Sequence, residues 1–339
     1  ECKGLLIEES RTNYVRQSLT LATDWAAGGG SYAYDAAITN PDGSVGAYYH
    51  TGAELYHSNI DLSGASTNVA IISMWVKARS GQTGVMDIQL YQQITGTVVD
   101  MGAFAVNPVT GTVTTNGARW SDGTVTEYPN GWYRFSAKAT TASGNFTSST
   151  RVDLQNNEHY VWGMQVEVGS FVTSFIPTNG TTLTRGSDDL VIDGGEFDDF
   201  INKPEGTILA DYKVIGGHPE IMYLTNGNSN CRIGLYEAGS SQTRFLVNNA
   251  GTLADTTDSA GTTVGDNIKS AGAYKLNDVA ASKNGVISST DSSVTIPDDI
   301  DRAYIGGYFN GDVSGVLGLR RLVYYQQRLP NSQLVTLTA

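Results

Sequence analysis

The stretch Val69-Ala70-Ile71-Ile72-Ser73-Met74-Trp75-Val76-Lys77-Ala78-Arg79 alternates with a period of two. Ala70, Ile72, Met74, Val76 and Ala78 fall on one side; Ser73, Trp75, Lys77 and Arg79 fall on the other. Successive side chains of a strand point to opposite faces, so this pattern predicts a strand with one face in a core. The same period recurs along the chain. In 85–93, Met86, Ile88 and Leu90 oppose Asp87, Gln89 and Tyr91. In 132–139, Tyr133, Phe135, Ala137 and Ala139 oppose Trp132, Arg134, Ser136 and Lys138. In 160–168, Tyr160, Trp162, Met164, Val166 and Val168 are assigned to one face, against Gly163, Gln165 and Glu167. Turn signals separate the runs: Asn40-Pro41-Asp42-Gly43, Asp122-Gly123 and Pro129-Asn130-Gly131.

A second set of strands is predicted at 206–214, 220–225, 231–237, 243–249, 278–283, 303–309 and 317–325, after the polar punctuation Thr184-Arg185-Gly186-Ser187-Asp188-Asp189. The Asp/Thr/Gly-rich segment 252–265 reads as a loop, and only 331–338 reads as a short helix, with Pro330 or Asn331 at its start. The expectation is all-β: two consecutive antiparallel β-sandwich, jelly-roll domains, at 1–187 and 188–339. A chain of 339 residues fits that count, at about 100–200 residues per domain.

Lys and Arg number 21 against 34 Asp and Glu, a formal net charge of −13. That balance argues against nucleic acid or an anionic membrane as partner, because both need clustered cations. Charged residues make up only 16%, below the roughly 25% of a typical domain. Gly, Ser, Thr and Asn fill the polar share and suit turns and exposed strand faces rather than long helices. No apolar run approaches the roughly 18 residues of a membrane span, and no signal peptide is expected. Glu1 is not an initiator Met, which reads as a fragment of something longer. Cys2 and Cys231 are expected as free thiols, compatible with folding in a reducing cytosol.

Three segments resemble a pattern found in tail fibres and appendage proteins of tailed bacteriophages. Gly4-Leu5-Leu6-Ile7-Glu8-Glu9-Ser10-Arg11-Thr12-Asn13 is similar to the opening of those modules. Val161-Trp162-Gly163-Met164-Gln165-Val166-Glu167-Val168-Gly169-Ser170, with Thr173-Ser174-Phe175-Ile176-Pro177-Thr178, is similar to their ending. Leu319-Arg320-Arg321-Leu322-Val323-Tyr324-Tyr325, with Arg328, Leu329 and Leu334, resembles the close of concanavalin/laminin-G-like modules, although Pro330 replaces the usual Ser cap. The resemblance implies a carbohydrate-binding-module-like jelly roll followed by a concanavalin-like sandwich. It also implies display on a virion after synthesis in host cytoplasm, contact with other virion proteins, and a homo-oligomer, a trimer. Related jelly rolls often carry a calcium ion, so a structural calcium stays open, although no DxDxDG run is present. The motifs mark fold and module type rather than a catalytic site.

No GxSxG elbow, HExxH, P-loop or strand-to-helix GxGxxG occurs. His50, His57, His159 and His218 are scattered, and His50 and His57 read as solvated loop residues. A glycosidase or lyase needs two converging carboxylates. Asp87, Asp100, Glu127, Asp153 and Glu167 are available, but nothing selects a pair, and Glu8 and Glu167 are assigned structural roles. The stronger signal is aromatic. Trp75 with Lys77 and Arg79, Tyr91 with Asp87 and Gln89, and Trp132 with Arg134 and Lys138 lie opposite the apolar stripes. Sugar recognition needs this mixture, because rings stack on the C–H faces of pyranoses while polar side chains bind their hydroxyls. The competing reading places Trp75 and Trp132 in a second core layer.

Trp25, beside the Gly28-Gly29-Gly30 turn, and Trp120, beside Asp122-Gly123, are loop candidates, and Tyr304, Tyr308, Phe309 and Asn310 are the counterpart group in the second half. The basic strip Lys77, Arg79 and Arg134 favours an acidic sugar. The leading expectation is therefore a non-catalytic module that binds host surface polysaccharide. The alternatives are a glycan depolymerase and a purely structural virion decoration or connector.

Overall fold

The computed structural model describes the chain except residues 1–3, 22, 23, 30, 53, 66, 95, 96, 142, 143, 157, 240, 241 and 258–260, so Cys2 and Gly30 lie outside the described residues. The chain divides into two compact units: Arg11–Arg185, and Glu1–Ser10 together with Gly186–Ala339. Each is an antiparallel β-sandwich. The first ten residues, assigned to the first module by their position in the sequence, belong to the second unit.

The first unit stacks two six-stranded sheets. One runs, in spatial order, Thr112–Thr115, Thr97–Asn107, Met86–Ile94, Thr150–Gln155, Glu54–Ile60 and Trp25–Gly28, and is called here the Tyr91 sheet. The other, the Trp75 sheet, runs Trp120–Tyr128, Trp132–Thr140, Val69–Lys77, Tyr160–Val168, Val45–Thr51 and Ser31–Thr39. Neighbours are mostly not consecutive in sequence, the crossing pattern of a jelly roll. The apolar stripes meet between the sheets: Met86, Ile88, Leu90, Phe104, Val152 and Leu154 from one, Ala70, Ile72, Met74, Val76, Phe135 and Ala137 from the other. Full burial of each Val, Leu, Ile, Phe or Met side chain among them contributes roughly 1.5–3 kcal/mol.

The strand Tyr160–Val168 departs from its predicted facing. Its pairing with Val69–Lys77 shifts register between Trp162 and Gln165. Gly163 takes φ +66° at that bulge, a conformation that favours glycine. Val161, Met164 and Val166 therefore enter the core, whereas Trp162 turns to the outer face.

In the second unit one sheet runs Leu5–Ile7, Gly315–Tyr325, Glu205–Gly217, Asn267–Lys275, Ala280–Lys283 and Val286–Ile287. Its partner, the Tyr223 sheet, runs Val191–Asp193, Arg302–Ile305, Glu220–Thr225, Cys231–Ala238, Gln242–Asn249 and Thr252–Thr257. Ile7, Ile208, Tyr212, Ile221, Leu224, Ile233, Phe245, Val247 and Leu317 share the core. Three expectations are corrected. Part of the segment expected as a loop, Thr252–Thr257, is a strand paired with Gln242–Asn249. Asn267–Lys275 is an additional strand, and a second helix, Gly194–Phe200, buries Phe197 in the core. The helix Asn331–Thr338 forms where expected, following Pro330.

Candidate functional site

The structure distributes the sequence-predicted aromatics over three places. Trp25 and Trp120 are in the inter-sheet core, 6% and 4% exposed, and are not loop contacts. The Trp25 indole N–H donates to the Gln17 carbonyl at 2.8 Å, and its ring meets His57 edge-on at 5.3 Å. Trp120 packs on Phe104 at 4.9 Å. Trp75 and Trp132 do lie on the outer face of the Trp75 sheet, but they are 3% and 0% exposed. Together with Trp162 they form a second core layer, covered by Leu19, Ile38, Tyr128, Tyr160 and Phe175. Trp75 alone has three ring neighbours, Tyr128, Trp162 and Phe175, at 5.2–5.5 Å. The alternation places a residue on a face; it carries no information about what covers that face.

The basic strip is likewise engaged internally. Arg134 lies 4.4 Å above the Trp75 ring and donates to the Ser73 hydroxyl at 3.0 Å. Arg79 pairs with Glu158 at 2.8 Å and stacks on Tyr49 at 4.0 Å. The Lys77 ammonium donates to the Asn130 carbonyl. Each of these side chains is thus held by a neighbour within the unit, and Arg134 braces the aromatic layer.

Gln89 and Tyr91 belong to the other sheet, and there the structure assembles a different constellation. Because Val152 and Leu154 point into the core, Arg151 and Asp153 point out. The strand Thr150–Gln155 lies between Met86–Ile94 and Glu54–Ile60, with Arg151 opposite Tyr91 and Asp153 flanked by Gln89 and Tyr56. The Arg151 guanidinium sits 4.5 Å from the Tyr56 ring centre and 4.8 Å from that of Tyr91. It pairs with Asp153 and, at 3.6 Å, with Glu54. On the neighbouring strands Gln89 donates to both Asp100 oxygens at 2.9 Å, and Asn156 donates to Asp87. Tyr56, Tyr91, Arg151 and Gln89 are all half-buried, with edges open to solvent.

Asp153 is fully buried, and burial pushes its carboxyl up to about 6, against the opposing pull of Arg151. Its Oδ1 makes no hydrogen bond. Burial also raises the Tyr91 hydroxyl, aided by Asp100 and Asp153. The face thus offers two rings with a fixed cation between them, ringed by carboxylates and amides that accept and donate hydrogen bonds. Arg151, Asp153, Tyr56 and Glu54 were not brought together by spacing along the sequence. The available signal was the alternation of Arg151, Asp153 and Gln155 against Val152 and Leu154, which becomes informative only once the strand order is known.

The resemblance motifs have structural roles. Asn13, fully buried, donates to the carbonyls of Met164 (3.2 Å) and Ile176 (2.9 Å) and accepts from the amides of Val15 and Val166. Gln165 accepts from the Ile176 amide at 2.7 Å, and Glu167 accepts from Thr173. Asn13, the last residue of the opening motif, thus locks onto the ending motif. Its histidines are also structural: His50 and His57 are buried, 1% and 0% exposed, rather than solvated, and burial holds His57 down at about 4. Cys231 is a buried free thiol that donates to Asp299 at 2.5 Å. Among the described residues, no group of three or more His, Cys, Asp or Glu is placed to hold a metal ion.

No family model matches the chain, and no curated protein matches it. Among solved structures it is similar to the Ruminococcus gnavus IT-sialidase CBM40 bound to alpha2,3 sialyllactose, at 19% identity over 40% of this chain and 83% of that one, TM-score 0.35. Mouse laminin alpha1 chain domains LG4-5 match at 9% identity over 98% and 92%, TM-score 0.31. Trypanosoma rangeli sialidase matches at 12% identity over 86% of this chain and 58% of that one, TM-score 0.32. The β-sandwich assignment rests on the sheets themselves, and these likenesses add nothing to the reading of the site.

Proposed function

We propose that this chain is a glycan-binding module without a catalytic step of its own, and that its binding face is the outer surface of the Tyr91 sheet. The observation that carries the proposal is the Arg151 guanidinium held between Tyr56 and Tyr91 on a half-open strand face. Rings in that setting stack on sugar C–H faces, and the surrounding amides and carboxylates bind hydroxyls. Glu54, Asp87, Asp100 and Asp153 outnumber the single cation, so the ligand is a neutral, hydroxyl-rich sugar. That choice replaces the acidic sugar expected from Lys77, Arg79 and Arg134.

One observation favours a depolymerase instead: Asp153, at about 6, lies against Glu54. Flanking carboxyls of a glycosidase stand roughly 5–9.5 Å apart across the scissile bond. Here Asp153 has no exposed surface, and Arg151 already pairs with both carboxylates, so neither is presented to a glycosidic oxygen. Binding is the better reading. The three sequence motifs support the finer assignment, a trimeric fibre or spike module on a bacteriophage virion that recognises host surface polysaccharide.

The test is a glycan array followed by titration with Tyr91→Ala and Tyr56→Ala. Each ring is expected to contribute on the order of 1–2 kcal/mol, hence roughly five- to thirtyfold in affinity, with melting nearly unchanged. A full chain that binds no neutral glycan, or variants that bind like the parent, would overturn the proposal.

A further inference from the structure

The second unit carries a separate cation, Arg232, that no carboxylate pairs with among the described residues. On the outer side of the Tyr223 sheet, Tyr223 lies across Gly234, where a Cβ would stand 2.2 Å from the ring. The glycine therefore makes room for a buried tyrosine on a face that would otherwise be open. Above it lies Arg232, half-buried, its guanidinium 4.9 Å from the Phe309 ring centre, 5.1 Å from Tyr308 and 6.0 Å from Tyr223. It donates to the Tyr308 hydroxyl, and among the described residues no carboxylate pairs with it. The acid beside it, Glu220, is 6% exposed, and burial raises it to about 8 despite Arg232 and the neighbouring hydroxyls. Glu220 is therefore mainly neutral at pH 7 and leaves the guanidinium charge uncompensated. Among the described residues, Glu220 Oε2 and the Tyr223 hydroxyl are buried without a hydrogen-bond partner.

In a chain of net charge −13, a positioned arginine that pairs with none of the described acids calls for an explanation. Half-burial of a cation is unfavourable unless something compensates it, and the rings do so only in part. Its planar fork matches a carboxylate in two parallel hydrogen bonds, and Tyr308 and Phe309 offer flat apolar surface beside it.

We propose that Arg232, on its bed of Tyr223, Tyr308 and Phe309, is a second binding site that takes a carboxylate-bearing sugar. It does not depend on the Tyr91 sheet, and its ligand is anionic where the ligand of that sheet is neutral. The fork holds the carboxylate, and the Tyr308–Phe309 pair, with ring centres 4.4 Å apart, covers the pyranose.

The test uses the full chain on an array of uronate- and nonulosonate-bearing oligosaccharides, each beside its methyl ester. At least one acid is expected to bind, with a loss of tenfold or more on esterification and a similar loss in Arg232→Gln. Tyr308→Ala, a change in a partly exposed loop residue, is expected to weaken the same acid at unchanged melting temperature. This variant keeps the test valid should Arg232→Gln perturb folding. Tyr91→Ala is expected to leave acid binding untouched, which separates this site from the neutral-sugar face. Three results would each overturn the proposal: no acid bound at millimolar concentration, esters bound as well as acids, or both variants at this site binding as the parent does.

Discussion

Replacing Asp153 by Asn should reveal a pH dependence that the native first unit conceals. Asp153 is fully buried and titrates at about 6 when folded, against 3.8 for an exposed aspartate. The folded state holds that proton more tightly, so the contribution to stability is complete below pH 3.8 and is lost as pH rises through 6. The difference is worth about 3 kcal/mol, at 1.36 kcal/mol per pKa unit. His57, in the core of the same unit, runs the other way. Burial lowers it from 6.5 to about 4, so its contribution is complete above 6.5 and is lost as pH falls through 4, again about 3 kcal/mol. Between pH 4 and 6 one slope falls as the other rises, and they nearly cancel.

Asp153→Asn removes the falling slope and leaves that of His57, so the variant should gain about 3 kcal/mol relative to the parent between pH 4 and 6. His57→Gln should do the reverse. Taking the difference between variant and parent at each pH removes the contributions of other groups. Urea unfolding followed by tryptophan fluorescence is the assay, because Trp25, Trp75, Trp120, Trp132 and Trp162 all lie in this unit. Variant and parent curves that stay parallel from pH 4 to 7 would refute the reasoning.

Two further outcomes follow from the packing. Gly163→Ala places a Cβ 2.7 Å from Trp75 Cε3 at φ +66°, and should cost roughly 3 kcal/mol or more in the same unfolding assay. Trp132→Ala empties a fully buried site whose indole N–H donates to the Thr39 carbonyl at 2.8 Å, and should cost about 3–5 kcal/mol by calorimetry, whereas Tyr91→Ala costs little.

The sandwich architecture was legible because its strands are one-sided: Ala70, Ile72, Met74 and Val76 enter the core as the alternation requires. Where a bulge breaks the period, as at Gly163, the pattern assigned Trp162 to the wrong face. The strand Asn267–Lys275 escaped notice because Ser270, Ala271, Gly272 and Ala273 lack β-branched bulk; Phe245 lies over Gly272. The candidate face was half legible. Gln89 and Tyr91 were singled out, but Arg151 and Tyr56 reach them through strand neighbours about 60 and 35 residues away, an order set by packing rather than by local pattern. The buried tryptophans failed as candidates because their cover comes from distant segments, including Phe175.

The strand Leu5–Ile7 closes one edge of the second unit by pairing with Leu317–Leu319. The whole first unit is therefore threaded as an insertion inside the second, between its first strand and the remainder. During synthesis at about 5–20 residues per second, that first strand waits on the order of 15–60 s for a partner about 300 residues downstream. The inserted unit holds all of its own sheet partners, so it can fold during that interval, while Leu5 and Leu6 remain unpaired until Leu317–Leu319 emerge. The order of assembly is thus written into the connectivity: the inserted unit first, and the two segments that flank it together.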